Sequence, residues 1–177
     1  MFRVDQEDLM QLKIDDLVVH PAFGIGHIVE IEEKSFSEKE THSYYKIVRL
    51  KHTMWIRVEA QEVTGLRLVT GKSDLDHYRD LLKSPPVSLN TNPQQRQLEL
   101  IGRLTQGSFQ GVCEVMRDLT AWNWREPLGR ADTTTLEKTR DGLAQEWASA
   151  AGVSPTEALR EIDSLLLATH TPTSRVG

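Results

Sequence analysis

Six histidines, one cysteine and a glycine-bracketed isoleucine are the residues of this chain with the most chemistry to offer. His20, His27, His42, His52, His77 and His170 show no spacing that brings a set of metal ligands together. His20 and His27 can meet across a hairpin, but no cysteine or close carboxylate completes a zinc set. Cys113 has no second cysteine to pair with, and Val112, Val115 and Met116 around it make it a small apolar core residue. Gly24-Ile25-Gly26 begins like a dinucleotide-binding loop, yet the third glycine and the following helix are missing. Both glycines answer instead to backbone geometry, a positive φ or a close approach in a tight turn. No nucleophile elbow and no acid–base pair is visible, so the residues point away from an enzyme, and no metal or cofactor is expected.

Binding is then the function to look for, and charge limits it. The chain has 177 residues, is 38% hydrophobic and has a net charge of −5. That balance argues against a protein that coats nucleic acid non-specifically and leaves room for a local contact delivered by another protein. No apolar run approaches the roughly 18 residues of a membrane span, so no membrane partner is expected. The opening MFRVDQEDLM lacks an apolar signal segment, which points to the cytoplasm.

The elements that must carry a binding surface change period midway. Leu17–Val19, Gly26–Glu33, His42–Leu50 and Thr53–Val58 are short apolar or β-branched runs, separated by "SFSEKET" and "KHT", which suit hairpin turns. Several such strands in fewer than about 60 residues imply a small bent sheet or partial barrel with a free edge. Trp55 is expected to pack on that sheet. From Ser73 the apolar spacing becomes helical. Leu75, Tyr78, Leu81 and Leu82 share a face behind Ser73 or Asp74 as cap. "PPVSLNTNP" (85–93) reads as an extended linker and a domain boundary. Pro93 suits a first helical position and Gly107 a helix stop. Ser108 caps a helix with Val112, Val115, Leu119 and Trp122 inward, Trp147 continues the face of Leu136 and Leu143, and Ser154-Pro-Thr-Glu157 is a capping box. The fold class is therefore α+β: a β domain at 1–70, a bundle of about five helices at 71–170, and a frayed tail at 171–177.

These residues also carry a resemblance. "DDLVVHPAFGIGHIVEIEE" (15–33), followed by "YYKIV", "IRVEA" and "GLRLV", resembles the amino-terminal domain of the bacterial CarD/CdnL family, a Tudor-like module shared with transcription-repair coupling factor. "LTQGSFQGVCEVMRDLTAW" and "LEKTRDGLAQEWASAAGVSPTEA" are similar to the helices of the same family. The resemblance implies a transcription regulator. Its β domain would add edge-on to the sheet of the RNA polymerase β subunit. Its helical domain would reach promoter DNA at the upstream edge of the bubble and stabilise the open complex, which places the protein with the nucleoid through polymerase.

Carried over residue by residue, the polymerase contacts fall on Lys34, Phe36 and Arg57. On the DNA side Pro93 stands where the family has a tryptophan wedge. Arg96 and Arg103 remain of the basic cluster, and Trp124 with Arg125 and Arg130 offers a second aromatic-plus-basic group. From Leu75 to Thr169 there are 10 Lys/Arg against 13 Asp/Glu, a balance of −3 that is poor for phosphates. DNA contact is therefore expected to be weak and to depend on polymerase. Two readings stay open: a regulator that contacts DNA, and an interaction module that binds polymerase or another β-edge partner without it.

Overall fold

The structure, a computed structural model, describes residues 12–170. The amino-terminal segment read for a signal and the tail at 171–177 lie outside the described residues. Among those described, the chain is α+β and divides into two compact units at Leu68/Val69, with Pro21–Gly24 grouped with the second.

The first unit is one five-stranded sheet in the order β4-β3-β2-β1-β5. Its strands are β1 (Leu17–His20), β2 (Gly24–Ser37), β3 (Glu40–Arg49), β4 (His52–Arg57) and β5 (Arg67–Leu68). β2, β3 and β4 form an antiparallel meander, and β5 returns to pair antiparallel with β1. The turns are tighter than "SFSEKET" and "KHT" suggested. Ser37 pairs with Glu40 and Arg49 with His52, so each connection is two residues long and the flanking polar residues join the strands. β5 and the short helix α1 (Gln61–Thr64) were not among the expected elements; two paired residues and a single turn are too short to leave a periodic pattern.

The glycines near the start of β2 have distinct tasks. Gly24 adopts φ 77°, a left-handed conformation that costs other residues strain. Gly26 lies where a Cβ would come within 2.6 Å of Ile47 Cγ2 and 3.2 Å of the Val48 carbonyl oxygen. One glycine turns the chain and the next lets β2 approach β3. Alternation puts Val18, Ile28, Tyr45, Ile47 and Ile56 into the β core with Leu12 and Leu66.

The second unit holds α2 (Leu75–Lys83), α3 (Pro93–Thr105), α4 (Phe109–Arg125), α5 (Arg130–Ala151) and α6 (Pro155–Leu167). Their ends follow local chemistry. Asn92 accepts from the amides of Gln94 and Gln95 with Pro93 at the first position, Ser108 accepts from Gly111, and Ser154 and Glu157 close a capping box. Neither Ser73 nor Asp74 caps α2 through its side chain; a 3₁₀ turn at Lys72–Asp74 leads into it, and the Leu75 amide bonds to Lys72 O. Fully buried Trp147 packs with Leu75, Leu82, Phe109, Cys113, Leu143 and Ile162, while Leu89, Leu100, Val115 and Leu119 form a second cluster flanked by Trp122.

The stretch 85–93 does not divide domains. It lies within the second unit, where Leu89 is buried and the Val87 amide donates to Asp118 Oδ1 at 3.0 Å. One buried apolar side chain, the Val87 amide and the Asn90 and Thr91 carbonyls, which accept from Arg96, hold this segment, and none of these produces a periodicity.

Candidate functional site

The β meander places one polar row after another on its outer face. Glu30, Lys46 and Trp55 stand opposite one another across β2, β3 and β4, then Glu32, Tyr44 and Arg57, and Lys34 faces His42. Glu32 is the centre of this face. Its Oε2 accepts from Trp55 Nε1 at 3.0 Å and lies 3.4 Å from Lys34 Nζ, while Oε1 is 3.2 Å from Lys46 Nζ. Lys34 Nζ is also 3.9 Å above the centroid of the Trp55 ring. Desolvation works against ionisation of Glu32, but hydrogen bonds from Trp55, Lys46 and Lys34 hold its carboxyl below the usual carboxylate range.

Arg57 lies on β4, the terminal strand of the sheet. Its Nη2 is 2.7 Å from His42 Nδ1 and donates to Glu59 Oε2 at 3.2 Å. Its Nε is buried and has no hydrogen-bond acceptor. The side chain as a whole is 41% exposed, so the outer part of the guanidinium can still meet a carboxylate brought by another molecule. Phe36 belongs to β2, and its side chain lies outside what the structure describes. The expected contact residues Lys34 and Arg57 thus share one face, together with Trp55, which was expected to pack on the sheet but is exposed beside them. The signal for Trp55 was its spacing: Trp55 and Arg57 are two apart on a strand, so they point the same way.

The residues expected to meet DNA are differently placed. Pro93 is exposed at the start of α3 and lines a groove of about 820 Å³ with Leu98, Pro127, Arg130 and Ala131. Arg96 is buried. Its Nε and Nη2 donate to Asp132 Oδ2 at 2.9 and 2.7 Å, Nη1 donates to Asn90 O at 2.9 Å, and the guanidinium stacks on Trp122 at 4.7 Å. Arg103 donates to buried Asp118 at 2.9 Å and lies 3.6 Å from Glu114. Trp124 is half-buried beside the main helical core, with its ring 4.3 Å from that of His170. Arg125 and Arg130 are exposed and form no ion pair among the described residues. Six of the ten cations between 75 and 169 are in ion pairs within the unit: Arg79, Lys83, Arg96, Arg103, Arg117 and Arg140.

Among the described residues no group of three or more His, Cys, Asp or Glu side chains is placed to hold a metal ion, and no helix is long and apolar enough to cross a membrane.

Comparison with known proteins agrees with this two-unit layout. Residues 12–68 match the family model of the CarD-like/TRCF RID domain, and residues 78–163 match that of the CarD C-terminal domain. The chain is also similar to a Bacillus subtilis (strain 168) protein named "Putative transcription factor YdeB", with 26% identity over 144 residues, which are 80% of this chain and 94% of that protein.

Proposed function

The chain belongs to the CarD family, and on that premise we propose that it is a transcription regulator that docks its β unit on the β subunit of RNA polymerase and stabilises the promoter open complex. The observation that carries this reading is Arg57: a guanidinium on the terminal strand of the sheet, its side chain 41% exposed. An extended partner segment laid along β4 would pair with the backbone groups of that edge, which is terminal among the described strands, and could bring a carboxylate to Arg57. Lys34 and Phe36 belong to the same docking strand system, and cytoplasmic localisation with the nucleoid follows from attachment to polymerase.

The helical unit would then be held at the promoter by a tether, which raises its local concentration without strong affinity of its own. Pro93, Arg103, Trp124, Arg125 and Arg130 are the residues through which it would meet the upstream edge of the bubble. Burial of Arg96 against Asp132 favours a second reading in which the unit carries little DNA contact and the protein acts through protein partners alone.

The deciding experiment uses the full chain. Purified polymerase should retain it through the β subunit, and addition of the protein should lengthen open-complex lifetime in a competitor challenge. Retention without any change in lifetime selects the interaction-module reading, and absence of retention rejects the regulator and leaves only a module for another β-edge partner.

A further inference from the structure

On the outer face of the β unit, one aromatic ring and one carboxylate converge on an ammonium group, and that ammonium is the chain's own. Lys34 Nζ lies 3.9 Å above the Trp55 centroid and 3.4 Å from Glu32 Oε2. The same carboxylate oxygen accepts the Trp55 indole N–H at 3.0 Å, which fixes the plane of the ring. This is the chemistry by which proteins recognise a cationic side chain: a π face below and a carboxylate at the margin.

We propose that the Trp55 ring face and Glu32 form a binding site for an arginine or lysine side chain of the docking partner, and that Lys34 is an internal occupant which the partner's side chain displaces.

Three observations carry the proposal. Trp55 is 44% exposed on the terminal strand, so a segment running along β4 passes beside it. A residue paired opposite Trp55 would project onto the same face of the sheet, within reach of a long side chain. Charge selects the sign of the newcomer. Glu30 and Glu32 are balanced here by Lys34 and Lys46, and when Lys34 swings out, the face is left with one uncompensated carboxylate. Lys34 can leave readily, because its stem is flexible and its side chain is 32% exposed. Arginine is the better guest, since a planar guanidinium can stack on the indole and donate to Glu32 at once. Glu32 acts twice in this arrangement: it orients the ring through the indole N–H and receives the guest's cation as its counter-charge.

The identity of the partner rests on the polymerase reading, but the chemistry of the site does not, and two measurements separate them. The first is an NMR titration with N-acetyl-arginine amide, following the Trp55 indole N–H, which is assigned by its loss in Trp55→Phe. Lys34→Met should bind the probe about threefold or more tightly than wild type, and Glu32→Gln should lose the saturable shift. A Lys34→Met protein whose Trp55 signal does not respond overturns the site. The second is binding of the full chain to core polymerase. Trp55→Ala should weaken it about tenfold or more, and Lys34→Met should weaken it clearly less than Trp55→Ala does. Loss on Lys34→Met as large as on Trp55→Ala would make Lys34 the contact itself and overturn the displacement. A wild-type chain that ignores polymerase while its Trp55 site takes up the arginine probe as expected would remove the partner and leave the site standing.

Discussion

Arg96 and Asp132 lock α3 to α5 through two hydrogen bonds to a single carboxylate oxygen, at 2.9 and 2.7 Å, with side chains only 7% and 4% exposed. Asp132 lies in the first turn of α5, where the helix dipole favours negative charge, and its other oxygen accepts from Gln97. On its open side the guanidinium is covered by Trp122. The arginine that sequence alone offers to a phosphate is thus tied to a helix start inside the protein.

Removal of either partner leaves a buried charge without its counter-charge, which typically costs about 3–5 kcal/mol. Arg96→Ala and Asp132→Ala should therefore each lower unfolding free energy by about 3 kcal/mol in urea titrations. Any loss of promoter activity in Arg96 variants should track that loss of stability. An Arg96→Ala protein with wild-type stability would show that the pair is not structural.

Both the pairing and the reason it was missed have a physical basis. Arg96 falls four residues before Leu100 and seven before Arg103, so the spacing reports only that all three share a face of α3. Whether a cation on such a face meets water or a buried acid depends on a residue 36 positions away, and no local pattern encodes that. Helix ends were legible because caps act within three residues, as at Ser108 and Ser154. The β face was half legible. The strands carrying Trp55 and Arg57 were, but Trp55 was expected to pack on the sheet and is 44% exposed, and its contact with Lys34 depends on register, which is set by two-residue turns that polar composition alone did not locate.

Glycine substitutions separate close approach from mere flexibility. A Cβ at Gly26 would press on Ile47 and on the backbone of Val48, so Gly26→Ala should destabilise the β unit by about 1–3 kcal/mol. At Gly102, inside α3, nothing lies within 4 Å of a Cβ, and Gly102→Ala should stabilise the helical unit by about 0.5–1 kcal/mol. Thermal melts of the two variants should move in opposite directions.

Acid should loosen the helical unit through Glu161. Desolvation pushes its carboxyl up, but hydrogen bonds from Arg79 and Trp147 outweigh it and hold the group below the usual value of 4.5. A carboxyl depressed in the folded state contributes stability above its unfolded pKa, and that contribution is lost as pH falls through the folded value. Stability measured downward from neutral pH should therefore hold until about 4.5 and then decline. Glu161→Gln should be less stable at neutral pH and show a shallower decline in acid.

Arg57 has a structural environment and a proposed partner, and one variant distinguishes them. Its intramolecular contacts, to His42 and Glu59, are made at a partly exposed surface, where charged pairs contribute about 0–1 kcal/mol. Arg57→Glu should leave the melting temperature nearly unchanged yet weaken polymerase binding by about 2 kcal/mol or more, since it sets a like charge against an incoming carboxylate. Equal losses of stability and binding would make Arg57 a structural residue.

DNA contact, if the helical unit makes it, has few cations to draw on. Arg96 and Arg103 are held by Asp132 and Asp118, whereas Arg125 and Arg130 carry no ion pair among the described residues and bracket the α4–α5 turn. Arg130 borders the groove at Pro93, the position proposed to stand in for the family's wedge. Each neutralised phosphate contributes a slope of about −0.9 to the dependence of log affinity on log salt. Two arginines therefore predict a slope near −2 for the tethered interaction, and hardly any binding of the free protein to duplex DNA at physiological salt. Arg125→Glu with Arg130→Glu should shorten open-complex lifetime at fixed polymerase occupancy and flatten its salt dependence, with little effect on folding because neither side chain is engaged. Pro93→Trp should lengthen the lifetime, since an indole at the exposed start of α3 offers a larger apolar wedge than a pyrrolidine. The measurement is open-complex decay after competitor challenge, across a salt series, for wild type and both variants. Lifetimes that match wild type in both would show that this end of the bundle does not meet the promoter, and the interaction-module reading would then hold.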